Sequence, residues 1–177
     1  MTIQDIASTA AAYVQRGWKV IQLHDVTAGA CSCRYGQYCE SPGKHPLDNA
    51  WQLNYLTTPP EVYAAWARHP RANVGVVTGP DSGIWVLDID PAHGGHLSLA
   101  ALEMEHGGLP KTYTTRTGSG GLHFYFDLTG VDFDLNNATG GRGAHPKFPA
   151  GMDVRGRGGF VVAPPSVSGV GPYGSLP

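Results

Sequence analysis

Strong net charge is missing: 12 basic against 14 acidic side chains leave the 177-residue chain at −2, with an isoelectric point near 6.4. This excludes association with nucleic acid through bulk positive charge, so any such contact has to be local. No stretch reaches the roughly 18 apolar residues of a membrane span, and the N-terminus lacks the basic-then-apolar layout of a secretory signal. A cytoplasmic protein is expected. Cysteine is scarce, and all three thiols fall between residues 31 and 39, an odd number that no disulfide framework explains. Reduced thiols are expected.

Hydrophobic residues make up 41% of the chain, enough for one compact domain with a real core, while 25 glycines and 14 prolines predict many turns. Six of the twelve basic residues (Lys111, Arg116, Arg142, Lys147, Arg155 and Arg157) fall within 47 positions, which points to a basic patch on an acidic body. Thr2 and Asp5 resemble a capping box, and Ile3, Ile6, Ala10, Tyr13 and Val14 recur at helical spacing as far as Gly17. Residues 18–23 read as a strand. The thirty-odd residues that follow are too many for a structureless loop, and a bound metal would organise them. Thr58, Pro59, Pro60 and Glu61 form a second capping box, launching a helix to about His69.

Residues 73–79 and 83–90 are apolar runs separated by Pro80, Asp81 and Ser82, which predicts a hairpin. A short helix over 97–106 should close at Gly107 in a left-handed cap, and strands over 112–117 and 122–128 should flank the glycine-rich turn between them. Residues 136–151, rich in Gly and Pro, are expected to be mobile, and 159–163 should be the last strand. Residues 171–177 read as the start of a linker after a domain spanning 1–170. The mix of hairpins and helices indicates an α+β fold with a largely antiparallel sheet.

Asp88 and Asp90 stand at i and i+2 on a strand, so both project from one face. Two adjacent carboxylates are best tolerated around a divalent cation, and oxygen ligands suit magnesium or manganese. Alternatively, they are a solvated strand end entering an Asp-Pro turn. Residues 117–123 let backbone N–H groups approach an anion, with Ser119, Arg116 and His123 as further donors, or form an ordinary glycine-rich hairpin. Asp153, flanked by Arg155 and Arg157, is either a surface ion-pair member or a third carboxylate, and three acids can hold the two cations that serve phosphoryl or nucleotidyl transfer. Cys31, Cys33, Cys39 and His45 offer the ligand set of a closed zinc site, with His24 as a substitute fourth ligand; the alternative is buried or free thiols. His93, His96, His106 and His145 read as surface residues. Trp18, Trp51, Trp66 and Trp85 read as core, although an exposed one can stack a base.

Taken in order, six segments resemble the N-terminal bifunctional DNA primase/polymerase domain of plasmid and phage replication proteins, within the archaeo-eukaryotic primase superfamily. They are residues 10–23, the cysteine cluster closing on Gly43, Lys44, His45 and Pro46, and then 73–79, 87–90, 117–123 and 151–166. The resemblance implies an RNA-recognition-like, mostly antiparallel catalytic sheet with flanking helices, packed with a small α/β unit carrying a zinc knuckle. It implies that Asp88, Asp90 and Asp153 hold two catalytic Mg²⁺ or Mn²⁺ ions. It further implies that His123, with Ser119, Gly120 and Gly121, binds the incoming triphosphate, and that Cys31, Cys33, Cys39 and His45 bind structural Zn²⁺. Arg116 and Arg155 fall where the family carries basic residues near phosphate, Arg155 standing where related primases often have lysine.

The expected activity is synthesis and extension of primers on a single-stranded DNA template from dNTPs or NTPs, by two-metal catalysis, during phage or plasmid replication. A helicase domain on the same polypeptide or a partner helicase, a monomeric fragment and the host cytoplasm are the accompanying expectations. Two rivals stand beside it: a zinc-bearing nucleic-acid-binding replication module without catalysis, and a D-x-D glycosyltransferase.

Overall fold

The computed structural model describes residues 3–132, 134–140 and 148–177. Thr2 of the first capping box, and Arg142, His145 and Lys147, lie outside the described residues. In chain order the elements are α1 (Ile3–Gln15), β1 (Val20–Leu23), β2 (Val26–Thr27), β3 (Ala30–Cys31), α2 (Pro59–Arg68), β4 (Asn73–Val77), β5 (Ile84–Ile89), α3 (Gly95–His106) and β6 (Thr114–Arg116). They continue as β7 (Leu122–Asp127), β8 (Ala138–Thr139), β9 (Met152–Arg155), β10 (Phe160–Ala163), β11 (Val167–Ser168), β12 (Gly171–Pro172) and β13 (Gly174–Ser175). No described helix is long and apolar enough to cross a membrane.

The helices start and stop where local chemistry dictates. Glu61 accepts hydrogen bonds from the N–H groups of Thr57 and Thr58 at 2.8 and 2.9 Å while its own N–H donates to the Thr58 hydroxyl, the reciprocal capping box expected at α2. Those backbone donors, Thr57 first, hold the Glu61 carboxyl below its ordinary range. α1 turns Ala7, Ala10, Ala11, Tyr13 and Val14 inward and packs on α2, where buried Trp66 donates its indole N–H to the Ala72 carbonyl at 2.9 Å. At the end of α3, Gly107 has φ 89° and ψ 164°, a positive-φ stop that is not the left-handed cap expected there.

Two antiparallel sheets carry the fold. One is three-stranded in the order β1-β4-β10; the other is six-stranded in the order β13-β6-β7-β5-β9-β8. The hairpin expected between 73–79 and 83–90 is therefore wrong. β4 is central in its sheet, with β1 and β10 occupying both of its edges, and all five of its residues are buried, so it has no free edge for β5. Between β4 and β5 only a single bridge forms, Gly79 with Ile84, where the chain passes from one sheet to the other. The sheets are tied together beyond that point: Thr78 donates its hydroxyl to the Gly156 carbonyl at 2.7 Å and its N–H to the Gly159 carbonyl at 2.9 Å.

Strand parity divides the larger sheet. Ile84, Val86 and Tyr125 join the core under α1, α2 and the three-stranded sheet, whereas Leu87, Ile89 and Met152 face α3 through Leu99 and Leu102. Of the tryptophans only Trp66 is fully buried; Trp18, Trp51 and Trp85 are half-buried against core clusters. β10 is not the last strand. Residues expected to begin a linker include β13, which pairs with β6 at the sheet edge, and the buried ring of Tyr173.

Candidate active site and metal knuckle

The long segment after β1 is organised around thiols. Cys31 ends β3 of the β2–β3 hairpin, Cys33 and Cys39 flank a short turn of helix, and His45 lies where the chain returns to β1, with Leu23 and Pro46 forming a bridge. The Sγ atoms of Cys31 and Cys39 lie 3.5 and 3.4 Å from His45 Nε2, and all four ligand atoms lie within 4.8 Å of one another. Edges near 3.5 Å are what a tetrahedral ion with bonds of about 2.0–2.3 Å requires, so the donor set fits a closed structural site. Burial acts to raise the Cys33 thiol, but N–H donors from Tyr35 and Gly36 and the neighbouring thiols prevail, leaving it below its ordinary value and closer to the thiolate a metal binds. His24 is not the fourth ligand: its ring lies beside that of His45, and its Nδ1 meets the Ser32 hydroxyl at 2.9 Å.

The second constellation lies where the two sheets meet. A cavity of about 430 Å³ is lined by Asp88, Asp90, Asp153, His123, Ser119 and Arg155 among others. Asp88 is the register partner of His123 on one neighbouring strand and of Asp153 on the other, which puts all three side chains on one face of the sheet. His123 Nε2 is 3.4 Å from one Asp88 oxygen. The Arg155 guanidinium lies 2.8 Å from Asp153 and 3.5 Å from the other Asp88 oxygen. Burial alone would raise the Asp88 carboxyl, yet the hydrogen bond and charge of His123 together with Arg155 outweigh it and hold that group below its ordinary range.

Asp90 stands apart. β5 ends at Ile89, and the Asp90 carboxylate caps the following turn, accepting from Ala92 N–H at 2.9 Å and meeting His93 Nδ1 at 2.7 Å. His93 is exposed, as expected for a surface histidine, and its contact with Asp90 is a solvent-facing i, i+3 pair. Among the described residues the cysteine and histidine knuckle is the only group of three or more such side chains whose ligand atoms already cluster. The three acids share a cavity without forming such a cluster, and Arg155 stands in as the cation between two of them. Their hard oxygen donors fit Mg²⁺ or Mn²⁺.

The glycine-rich turn is built differently from an anion nest. Gly120 N–H donates to the Thr117 carbonyl and Gly121 N–H to the Thr117 hydroxyl, so both donors are committed within the turn. Thr117 and Ser119 line the cavity, while Gly120 and Gly121 line a groove on the α3 side. Gly121 has another reason to be glycine: a Cβ there would lie 2.2 Å from the Ile89 carbonyl. Arg116 is exposed and pairs in register with Leu122, which places it on the face opposite Asp88. Arg157 pairs with Asp134 at 2.6 Å. Of the four described members of the basic cluster, Lys111, Arg116, Arg155 and Arg157, Arg155 alone lines the cavity. Sequence reasoning overlooked Asn137, Phe160 and Tyr173 and gave no site role to Lys44 or Thr117; all of these, and Trp51, line the cavity.

A family model described as bifunctional DNA primase/polymerase, N-terminal, matches residues 10–176, nearly the whole chain. No curated protein matches the chain.

Proposed function

The chain belongs to the bifunctional DNA primase/polymerase N-terminal family, whose name implies DNA and nucleotide substrates, and from that premise we propose that it is a DNA-directed nucleotidyltransferase that makes and extends primers on a single-stranded template during replication. The observation that carries this reading is the convergence of Asp88, Asp153, His123 and Arg155 from three adjacent strands at one cavity.

Asp88 and Asp153 would hold divalent cations, with Asp90 joining from the end of β5. Divalent ions held there would supply a lowered pKa for the attacking hydroxyl and neutralisation of charge on the transferring and leaving phosphates. His123, nearly buried at the cavity wall with Nε2 3.4 Å from an Asp88 oxygen, would donate a ring N–H to the triphosphate. Ser119, fixed by its contact with the Thr117 hydroxyl at 3.1 Å, adds a donor at the cavity rim. Arg155 neutralises Asp88 and Asp153 before substrate enters and is then free to turn toward phosphate oxygens. The knuckle of Cys31, Cys33, Cys39 and His45 would hold Zn²⁺ as a structural ion.

The test is incorporation of labelled dNTP or NTP on a primed single-stranded template with Mn²⁺ or Mg²⁺. Wild type should extend the primer, and Asp88→Asn should not, while still melting cooperatively, at a temperature lowered only by the stability that the ionised Asp88 carboxyl contributes. Extension by Asp88→Asn at the wild-type rate would overturn the assignment. DNA binding by wild type without any incorporation would leave a non-catalytic replication module.

A further inference from the structure

Two permanent cations line the cavity, and they are not equivalent. Arg155 is engaged by Asp88 and Asp153, whereas Lys44 makes no ion pair among the described residues. A triphosphate brings several negative charges into a site whose other charged groups are three acids, so an uncommitted ammonium on its wall is the group best placed to receive them.

The backbone around Lys44 is held on both sides. Gly43, at φ 78°, is packed so closely that a Cβ would lie 2.7 Å from the Val167 carbonyl. Buried Asn73 donates its side-chain amide to the carbonyls of Gly43 at 2.9 Å, Val167 at 2.7 Å and His24 at 3.2 Å, and accepts from Val167 N–H at 3.0 Å. On the other side, His45 is a knuckle ligand whose carbonyl accepts from His24 N–H at 2.9 Å, and Leu47 N–H donates to the Gln22 carbonyl at 3.0 Å. Lys44 therefore has a fixed Cα and a flexible, unpaired head.

We infer that Lys44 contacts the phosphates of the incoming nucleotide, as a binding residue held at the cavity wall by the Asn73 clamp and the cysteine and histidine knuckle. The inference rests on the nucleotidyl-transfer reading above and adds a residue to its binding site.

The experiment is equilibrium binding of a fluorescent dNTP, in the presence of Mn²⁺, to wild type, Lys44→Ala, Lys44→Met and Lys44→Arg, with bound metal and melting temperature measured on each. Lys44→Ala should raise Kd about tenfold or more, the scale of a lost charge-assisted hydrogen bond. The loss should shrink for the matching monophosphate, and Lys44→Arg should recover part of it. Lys44→Met keeps the aliphatic stem, so it separates lost charge from lost packing if truncation disturbs the knuckle. Wild type binding triphosphate while Lys44→Ala and Lys44→Met bind it within twofold overturns the role of Lys44 and leaves nucleotidyl transfer standing. Wild type binding no triphosphate overturns both.

Discussion

Asp88 and Asp153 face each other as register partners on β5 and β9, and one guanidinium nitrogen of Arg155 contacts a carboxylate oxygen of each. Two like charges on one sheet face repel, and a shared cation is the simplest relief. Arg155 supplies it in the protein alone; divalent ions would supply it in the working enzyme. Removing either acid should thus harm catalysis more than folding. We expect Asp153→Asn to lower primer extension about a hundredfold or more, the scale seen when one transition-state-stabilising group is removed, while the urea midpoint stays near that of wild type. Wild-type extension by this variant would place the cation-binding site elsewhere.

The same cluster gives a pH signature. The Asp88 carboxyl is held below its ordinary value, so the folded state binds fewer protons there than the unfolded chain. The stability this contributes is fully present above the ordinary carboxylate pKa of about 4 and is lost as pH falls through the lower folded value. In urea titrations at a series of pH values, wild type should lose stability on acidification below about pH 4, and Asp88→Asn should lose less over that window. Parallel curves for the two proteins would show that Asp88 does not titrate abnormally.

Cys33→Ser removes one of four clustered ligands at a half-buried position outside the core clusters, so it tests the knuckle without opening a cavity in the core. Because closed metal sites couple binding to folding, the variant should lose stoichiometric metal and melt several degrees below wild type. A chelator should bring wild type down to the same melting temperature. Metal content measured by mass spectrometry alongside thermal denaturation checks both, and an unchanged melting temperature after metal removal would mean that residues 24–57 are organised by backbone contacts alone.

How much of this was legible in the sequence depended on the range of the interactions. The α2 cap was readable because Thr58 and Glu61 bond within one turn, and the β6–β7 hairpin because residues 118–121 allow little besides a tight reversal. The knuckle was readable from four ligands, three thiols and one imidazole, within fifteen residues. The β4–β5 pairing was misread because two apolar runs around Pro80, Asp81 and Ser82 look alike whether they pair with each other or with distant strands, and β4 finds both partners, β1 and β10, far away in the chain. The face that Arg116 takes was not legible: a one-residue difference on a strand reverses the face, and only the register with Leu122 reveals it. Lys44 and Tyr173 reach the cavity from a loop and from the C-terminal segment, where no local pattern announces them.

The turn at residues 117–121 offers a test of whether its glycines serve the backbone or a ligand. At Gly121 a Cβ would meet the Ile89 carbonyl at 2.2 Å, and neither group can yield without moving the turn away from the end of β5. At Gly120 a Cβ meets nothing within 4 Å, and only its φ of 85° resists a side chain. Gly121→Ala should therefore cost about 1–3 kcal/mol in overpacking and also weaken extension, because Ser119 and Thr117 shift relative to Asp88. Gly120→Ala should cost about 1 kcal/mol from the left-handed backbone and leave extension within a few-fold of wild type, since its N–H is already held by Thr117. Urea denaturation and primer extension on the two variants provide the measurement. A larger loss of activity in Gly120→Ala than in Gly121→Ala would mean that the exposed backbone of the turn, rather than its packing on β5, contacts the substrate.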